Sequence, residues 1–174
     1  KLREELRLQS ILDPLTGLFN RRYFEKTLER EVHRANRHER PVGVFMLDVD
    51  DLKEYNDQFG HAVGDALLHE IGYYLKKHVR GEDVACRYGG DEFTIILPDA
   101  SLPSAKRRAE ELCSGINDLR ILYQDKKIGG NSVSIGVACY PLHGRNAEQL
   151  VKGADIALYS AKEAGRNCIR VAKS

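Results

Sequence analysis

The chain has 174 residues, of which 30% are charged, and a formal net charge of +1. That is enough for one domain with its own core, and too balanced a charge to point to nucleic acid or an anionic membrane as partner. No apolar run reaches the ~18 residues of a bilayer-spanning helix. The four cysteines, Cys86, Cys113, Cys139 and Cys168, form no C-x-x-C pair and no Cys/His cluster, which argues against zinc and suits a reducing cytosol.

In chain order, "KLREELRLQSIL" (1–12) places leucines at helical spacing between charges. It lacks Met and any signal-peptide core, and reads as the end of a signalling helix from a missing upstream region, with the domain proper at 13–174. Pro14 and Gly17 in "DPLTGLFN" break it. "RRYFEKTLEREVHRANRHE" predicts a helix with Phe24, Leu28, Val32 and Ala35 on one stripe. "VGVFMLDV" predicts a buried strand, "KEYNDQFG" a short helix and "GDALLHEIGYYLKKHV" an amphipathic helix. "VACRY" and "EFTIILP" predict a strand pair turning at Gly89-Gly90. "SAKRRAEELCSGIN" predicts a helix, "NSVSIGVACYP" a strand of alternating character, "NAEQLVKGADIALYSAKEAG" a helix stopped at Gly165, and "NCIRVA" a last short strand. The core order is βαββαβ. This predicts an α+β fold of ferredoxin-like or palm type, with a mostly antiparallel sheet, flanking helices and additions at both ends.

Asp48 and Asp50 stand at the end of the first core strand, where residues two apart share a face. In a sheet of this topology that strand neighbours the hairpin, so the Gly89-Gly90 turn can carry Asp91 and Glu92 up to Asp48. Clustered carboxylates repel, and burial worsens the repulsion. A divalent cation relieves it, and carboxylate oxygens suit Mg²⁺ or Mn²⁺, which favour phosphate partners. Glycines leave room for a triphosphate near the backbone. Metal-assisted phosphoryl or nucleotidyl transfer is therefore one reading. A turn bearing solvated acids is the other, and the hairpin by itself favours it, because Gly and Asp are common turn residues.

"RYGGDEF" (87–93) resembles the signature of the GGDEF family, the diguanylate cyclases. Five further stretches match in order: "DPLTGLFNRR" (13–22), "LDVDDLKEYNDQFGHAVGD" (47–65), "RGED" (80–83), "SIGVA" (134–138) and "ADIALYSAKEAGRN" (154–167). The resemblance covers nearly the whole chain; Leu52 stands where the family commonly has Phe. It implies condensation of two GTP into cyclic di-GMP and two pyrophosphates, across a transient two-fold homodimer, in a cytoplasmic domain driven by an upstream sensor. By the same resemblance, Mg²⁺ or Mn²⁺ is held by Asp48, the Val49 carbonyl, Asp91 and Glu92, with Asp91 also the candidate base. Asn56 and Asp65 read guanine, His61 and the Gly89-Gly90 turn line the nucleotide site, and Lys53, Lys162 and Arg166 hold phosphates. Arg80 and Asp83, assisted by Arg87, form an inhibitory site for cyclic di-GMP. Asn and Asp together offer the donors and acceptors that guanine requires. The alternatives are a non-catalytic GTP or cyclic di-GMP receptor, a structural docking domain, and a cyclase making an adenine-containing dinucleotide. The intact Asp91-Glu92 pair argues against the first, and Asp65 against the last.

Overall fold

The structure is a computed structural model that describes all 174 residues. Helix α1 (Leu2–Ile11) buries none of its residues. The turn after it leads through a two-residue strand, β1 (Phe19–Asn20), into α2 (Arg21–His38), whose first turn is capped by the Asn20 side chain accepting from the Tyr23 amide. Then come β2 (Val42–Val49), α3 (Leu52–Phe59), α4 (His61–His78), β3 (Val84–Arg87), β4 (Glu92–Pro98) and α5 (Leu102–Asn117). The chain finishes with a hairpin of β5 (Arg120–Tyr123) and β6 (Lys126–Gly129), then β7 (Val133–Tyr140), α6 (Ala147–Glu163) and β8 (Ile169–Val171).

Six strands form one sheet in the order β1-β3-β4-β2-β7-β8. The four central strands pair antiparallel, and β1 and β8 are added parallel at the two edges. This is the α+β arrangement that the βαββαβ order predicts. β2 lies at the centre because both its faces are apolar. Val42, Val44 and Met46 join a core with α2 and α6, while Phe45, Leu47 and Val49 join another with α3, α4 and α5. A sheet covered on both faces needs unbroken apolar strands rather than alternating ones.

That explains one departure from the sequence reading. β7 is buried at all eight positions, not alternately. Its Gly136 leaves no room for a side chain: a Cβ there would collide with the Ala154 carbonyl of α6. Three other boundaries differ. α4 starts at His61, straight after Gly60 with φ of 90°, and neither β1 nor the β5–β6 hairpin was expected. No helix is long and apolar enough to cross a membrane.

Candidate active site

The site forms where β2 ends. Antiparallel register puts Asp48 of β2 opposite Glu92 of β4, and the Val49 amide donates to the Asp91 carbonyl at 3.0 Å. The Gly-Gly turn is therefore stitched to the end of β2. It is closed on itself by the Tyr88 and Gly89 amides, which donate to the Glu92 carbonyl at 2.8 and 3.2 Å. Arg87 clamps it from outside: Nε donates to the Gly89 carbonyl at 3.1 Å and one Nη to the Gly90 carbonyl at 2.9 Å. The other Nη lies 3.3 Å from the Asp13 carboxylate. Asp13 in turn accepts from the Thr16 amide and hydroxyl at 2.9 and 2.8 Å. The turn that follows α1 is thus fastened to the signature hairpin.

Electrostatics at this corner are frustrated. The Asp48 carboxyl is pushed up to about 7, chiefly by burial; repulsion from Asp91 and Glu92 adds to this, while Lys162 opposes it. Glu92 is raised too, again by burial first, then by repulsion from Asp91 and Asp155. Asp48 Oδ1 is buried with no hydrogen-bond partner. No group of three or more His, Cys, Asp or Glu side chains is gathered closely enough to chelate a metal unaided. The available donors are two or three carboxylates and a carbonyl, which is the partial set that Mg²⁺ accepts when phosphates and water complete its shell. An orphaned carboxylate oxygen among repelling acids fits that use.

Asp50 behaves differently. Burial by itself would raise its pKa, but hydrogen bonds from Lys162, Ser132, Ser134 and the Asn167 amide hold it below the ordinary carboxylate value. Lys162, in the last turn of α6, sits 2.8 Å from Asp50 Oδ1, 3.4 Å from the Val49 carbonyl and 3.7 Å from Asp48 Oδ2. Arg166, just beyond the helix, pairs with Asp51 at 3.1 Å. Both cations therefore converge on the end of β2. Lys53 is exposed in the first turn of α3 and forms no ion pair with these acids.

Helices α3 and α4 carry the other expected group. The Asn56 carboxamide oxygen is buried without a partner and lies against Gly64, where any Cβ would overlap it. Gly64 precedes Asp65, so the two expected guanine readers are neighbours. Asp65 and His61 are exposed. Tyr55 anchors α3 by donating from its hydroxyl to the Gly129 carbonyl at 2.9 Å.

The expected inhibitory group is not assembled as the sequence reading had it. Arg80 is exposed, but the side chain of Asp83 is only 1% exposed. One Asp83 oxygen accepts from the Arg80 amide at 2.8 Å and from Arg108 of α5. Arg87 does not join them, being engaged with the Gly-Gly turn at the far end of β3. The residues that sequence reasoning missed are Asp13, Asp51, Arg108, Ser132, Ser134 and Asn167, together with the buried role of Asp50. Asp50 and Asp51 directly follow β2, whereas Asp13, Arg108, Ser132, Ser134 and Asn167 are brought in by tertiary contact from distant elements.

Against this geometry, the family model for "Diguanylate cyclase, GGDEF domain" matches residues 10–168. The chain belongs to the GGDEF family. It is 38% identical over 161 residues to the response regulator PleD of Caulobacter vibrioides, covering 92% of this chain and 36% of that protein. It is 38% identical over 168 residues to the diguanylate cyclase DgcS of Shewanella oneidensis, covering 97% and 55%. With the diguanylate cyclase DosC of Escherichia coli K12 the identity is 39% over 163 residues, covering 94% and 35%. The chain thus spans between about a third and just over half of these relatives. Among solved structures, the GGDEF domain of DgcB from Caulobacter crescentus, in complex with c-di-GMP, superposes with a TM-score of 0.89 at 28% identity, covering 95% of this chain and 94% of that one. The Pseudomonas aeruginosa diguanylate cyclase SiaD, in complex with its activator SiaC, gives 0.89 at 36% identity, covering 98% and 65%.

Proposed function

We propose that this GGDEF domain is a diguanylate cyclase, joining two GTP molecules into cyclic di-GMP with release of two pyrophosphates, and that it uses Mg²⁺ or Mn²⁺. The observation that carries the reading is the convergence of Asp48, the Val49 carbonyl, Asp91 and Glu92 at one corner, with an orphaned buried oxygen among them. These groups would hold the cation. When bound, it screens the triphosphate and makes the ribose 3′-hydroxyl more acidic.

The protein's own groups do the rest. Asn56 and Asp65 bind the guanine edge, and the buried oxygen of Asn56 accepts a donor that adenine does not present in the same place. His61 lies beside them at the start of α4. The Gly89-Gly90 turn, kept free of side chains and clamped by Arg87, lets phosphate approach the backbone. Lys162 and Arg166 meet the charge that grows on departing pyrophosphate, and Lys53 assists from α3. Asp91 takes the 3′-hydroxyl proton. Each domain carries one GTP, so the two reacting groups meet only when two domains face each other about a two-fold axis. Helix α1, with Leu2, Leu6 and Leu8 exposed, links the domain to an upstream sensor that sets this pairing, in the cytoplasm. Feedback by cyclic di-GMP would rest on the exposed Arg80, with Asp83 recruited only if its carboxylate turns away from Arg108.

Incubating the domain with GTP and Mg²⁺, and separating products by chromatography, tests the reading. Wild type should yield cyclic di-GMP and Asp91→Asn should not. Binding of GTP with no dinucleotide formed, even when two domains are tethered as a dimer, would favour the receptor reading instead.

A further inference from the structure

Asp48 and Asp50 look alike in sequence, two residues apart at the end of one strand, yet the structure gives them opposite circumstances. Asp48 has an oxygen with no partner and reaches Lys162 only at 3.7 Å. Both Asp50 oxygens are filled. Oδ1 accepts from Lys162 Nζ at 2.8 Å and from the Ser134 hydroxyl at 2.7 Å. Oδ2 accepts from the Ser132 hydroxyl at 2.6 Å and the Asn167 amide at 3.0 Å. Its side chain is 2% exposed. A carboxylate in this state has no lone pair to offer a metal without breaking a bond it already makes.

The four donors come from three places: the start of β7 and the residue before it, the last turn of α6, and the turn beyond it. The turn beyond α6 holds two successive left-handed residues, Arg166 with φ of 66° and Asn167 with φ of 46°, a conformation uncommon outside glycine and more costly for the arginine than for the asparagine. The Asp50–Asn167 bond helps to hold it. Through Lys162 and the Asn167 amide together, one buried carboxylate fixes both the lysine nearest Asp48 and the turn that carries Arg166.

We propose that Asp50 is a positioning residue: it sets the Lys162 ammonium and the Arg166–Asn167 turn as one unit against the end of β2, and does not itself hold the metal. The proposal rests on the reading of Lys162 and Arg166 as phosphate-binding groups. It explains why a lysine in a cluster of acids does not simply neutralise them. Asp50 holds the ammonium at the rim, in line for phosphate, and leaves Asp48 under-compensated.

The test uses Asp50→Asn, which keeps the side chain's shape and removes its charge. A hydrogen bond to a charged partner is at stake, so kcat for dinucleotide formation should fall on the order of tenfold to a hundredfold, with KM for GTP changing less. In a Lys162→Gln background the same substitution should cost several-fold less than it does in wild type, because only its effect on the Arg166–Asn167 turn then remains. Mn²⁺ affinity, read by electron paramagnetic resonance, should be retained in Asp50→Asn and lost in Asp48→Asn. Acylation of Lys162 by an amine-reactive reagent, quantified by mass spectrometry, should rise several-fold. Should Asp50→Asn fail to fold, Ser134→Ala removes one of the four bonds and should move Lys162 acylation and kcat the same way by a smaller factor. Full additivity with Lys162→Gln, loss of Mn²⁺ in Asp50→Asn, or unchanged Lys162 acylation in the variant that folds would each overturn the proposal. If wild type makes no dinucleotide, the cyclase reading fails, and the Mn²⁺ and acylation arms still decide the role of Asp50.

Discussion

Gly64→Ala is expected to separate stability from nucleotide binding. Gly64 is a buried residue inside α4, and replacing an interior helical glycine with alanine ordinarily stabilises by about 1 kcal/mol. Here the new methyl overlaps the Asn56 carboxamide oxygen, so Asn56 must turn aside. That oxygen makes no hydrogen bond within the protein, so moving it forfeits none. The net change in folding free energy is expected to lie between zero and about 1 kcal/mol of gain, or up to about 4 °C in Tm for a chain of this size. Binding should move the other way. Displacing a group that bonds the guanine edge costs about 1–3 kcal/mol, roughly 5- to 150-fold in affinity. Differential scanning calorimetry gives the first quantity. Titration calorimetry with a non-hydrolysable GTP analogue gives the second, with Asn56→Ala as the reference. A Gly64→Ala protein that binds the analogue within about twofold of wild type would refute the assignment of Asn56 as a guanine reader.

Two further outcomes follow from buried charge and from one histidine. Arg108→Ala leaves the nearly buried Asp83 carboxylate without its cationic partner, which costs about 3–5 kcal/mol. Tm should then fall by about 6–20 °C, and a fall under about 2 °C would mean that Asp83 is open to solvent and to ligands. His143 accepts a hydrogen bond from the Cys139 amide on Nδ1 at 2.8 Å, and burial lowers its pKa below the ordinary 6.5. The unfolded chain therefore binds the proton first, so this contribution to stability is full above about pH 6.5, shrinks as pH falls towards the folded pKa, and is level below it. The Tm advantage of wild type over His143→Gln should be smaller at about pH 5.5 than at about pH 7.5; an equal gap at both would contradict the linkage.

The sheet was legible where patterns are long. β2, β3 and β4 show as apolar runs, and Gly89-Gly90 marks their turn. β1 is two residues long, defined only by its pairing with β3, and has no pattern of its own. The β5–β6 hairpin buries only Ile121. It turns at Gln124-Asp125, both left-handed, a role that Asn-Gly would have signalled. The start of α4 has no side-chain cap, so nothing in the letters announced it. In the site, the meeting of Asp48 with Asp91 and Glu92 followed from topology. What separates Asp48 from Asp50 did not, because Ser132, Ser134, Lys162 and Asn167 lie about eighty to one hundred and twenty residues away. Arg108 was hidden for the same reason: within "KRRAEE" it reads as one more solvated charge, and only the packing of α5 turns it onto Asp83.

The most direct test of the shared cation at the end of β2 is Mn²⁺ titration of wild type, Asp48→Asn, Asp91→Asn and the double variant in the presence of a non-hydrolysable GTP analogue. One tight ion per domain is expected in wild type, lost in either single variant and weakened no further in the double. Retention of that ion by Asp91→Asn, or losses that simply add, would show that the two aspartates serve different sites.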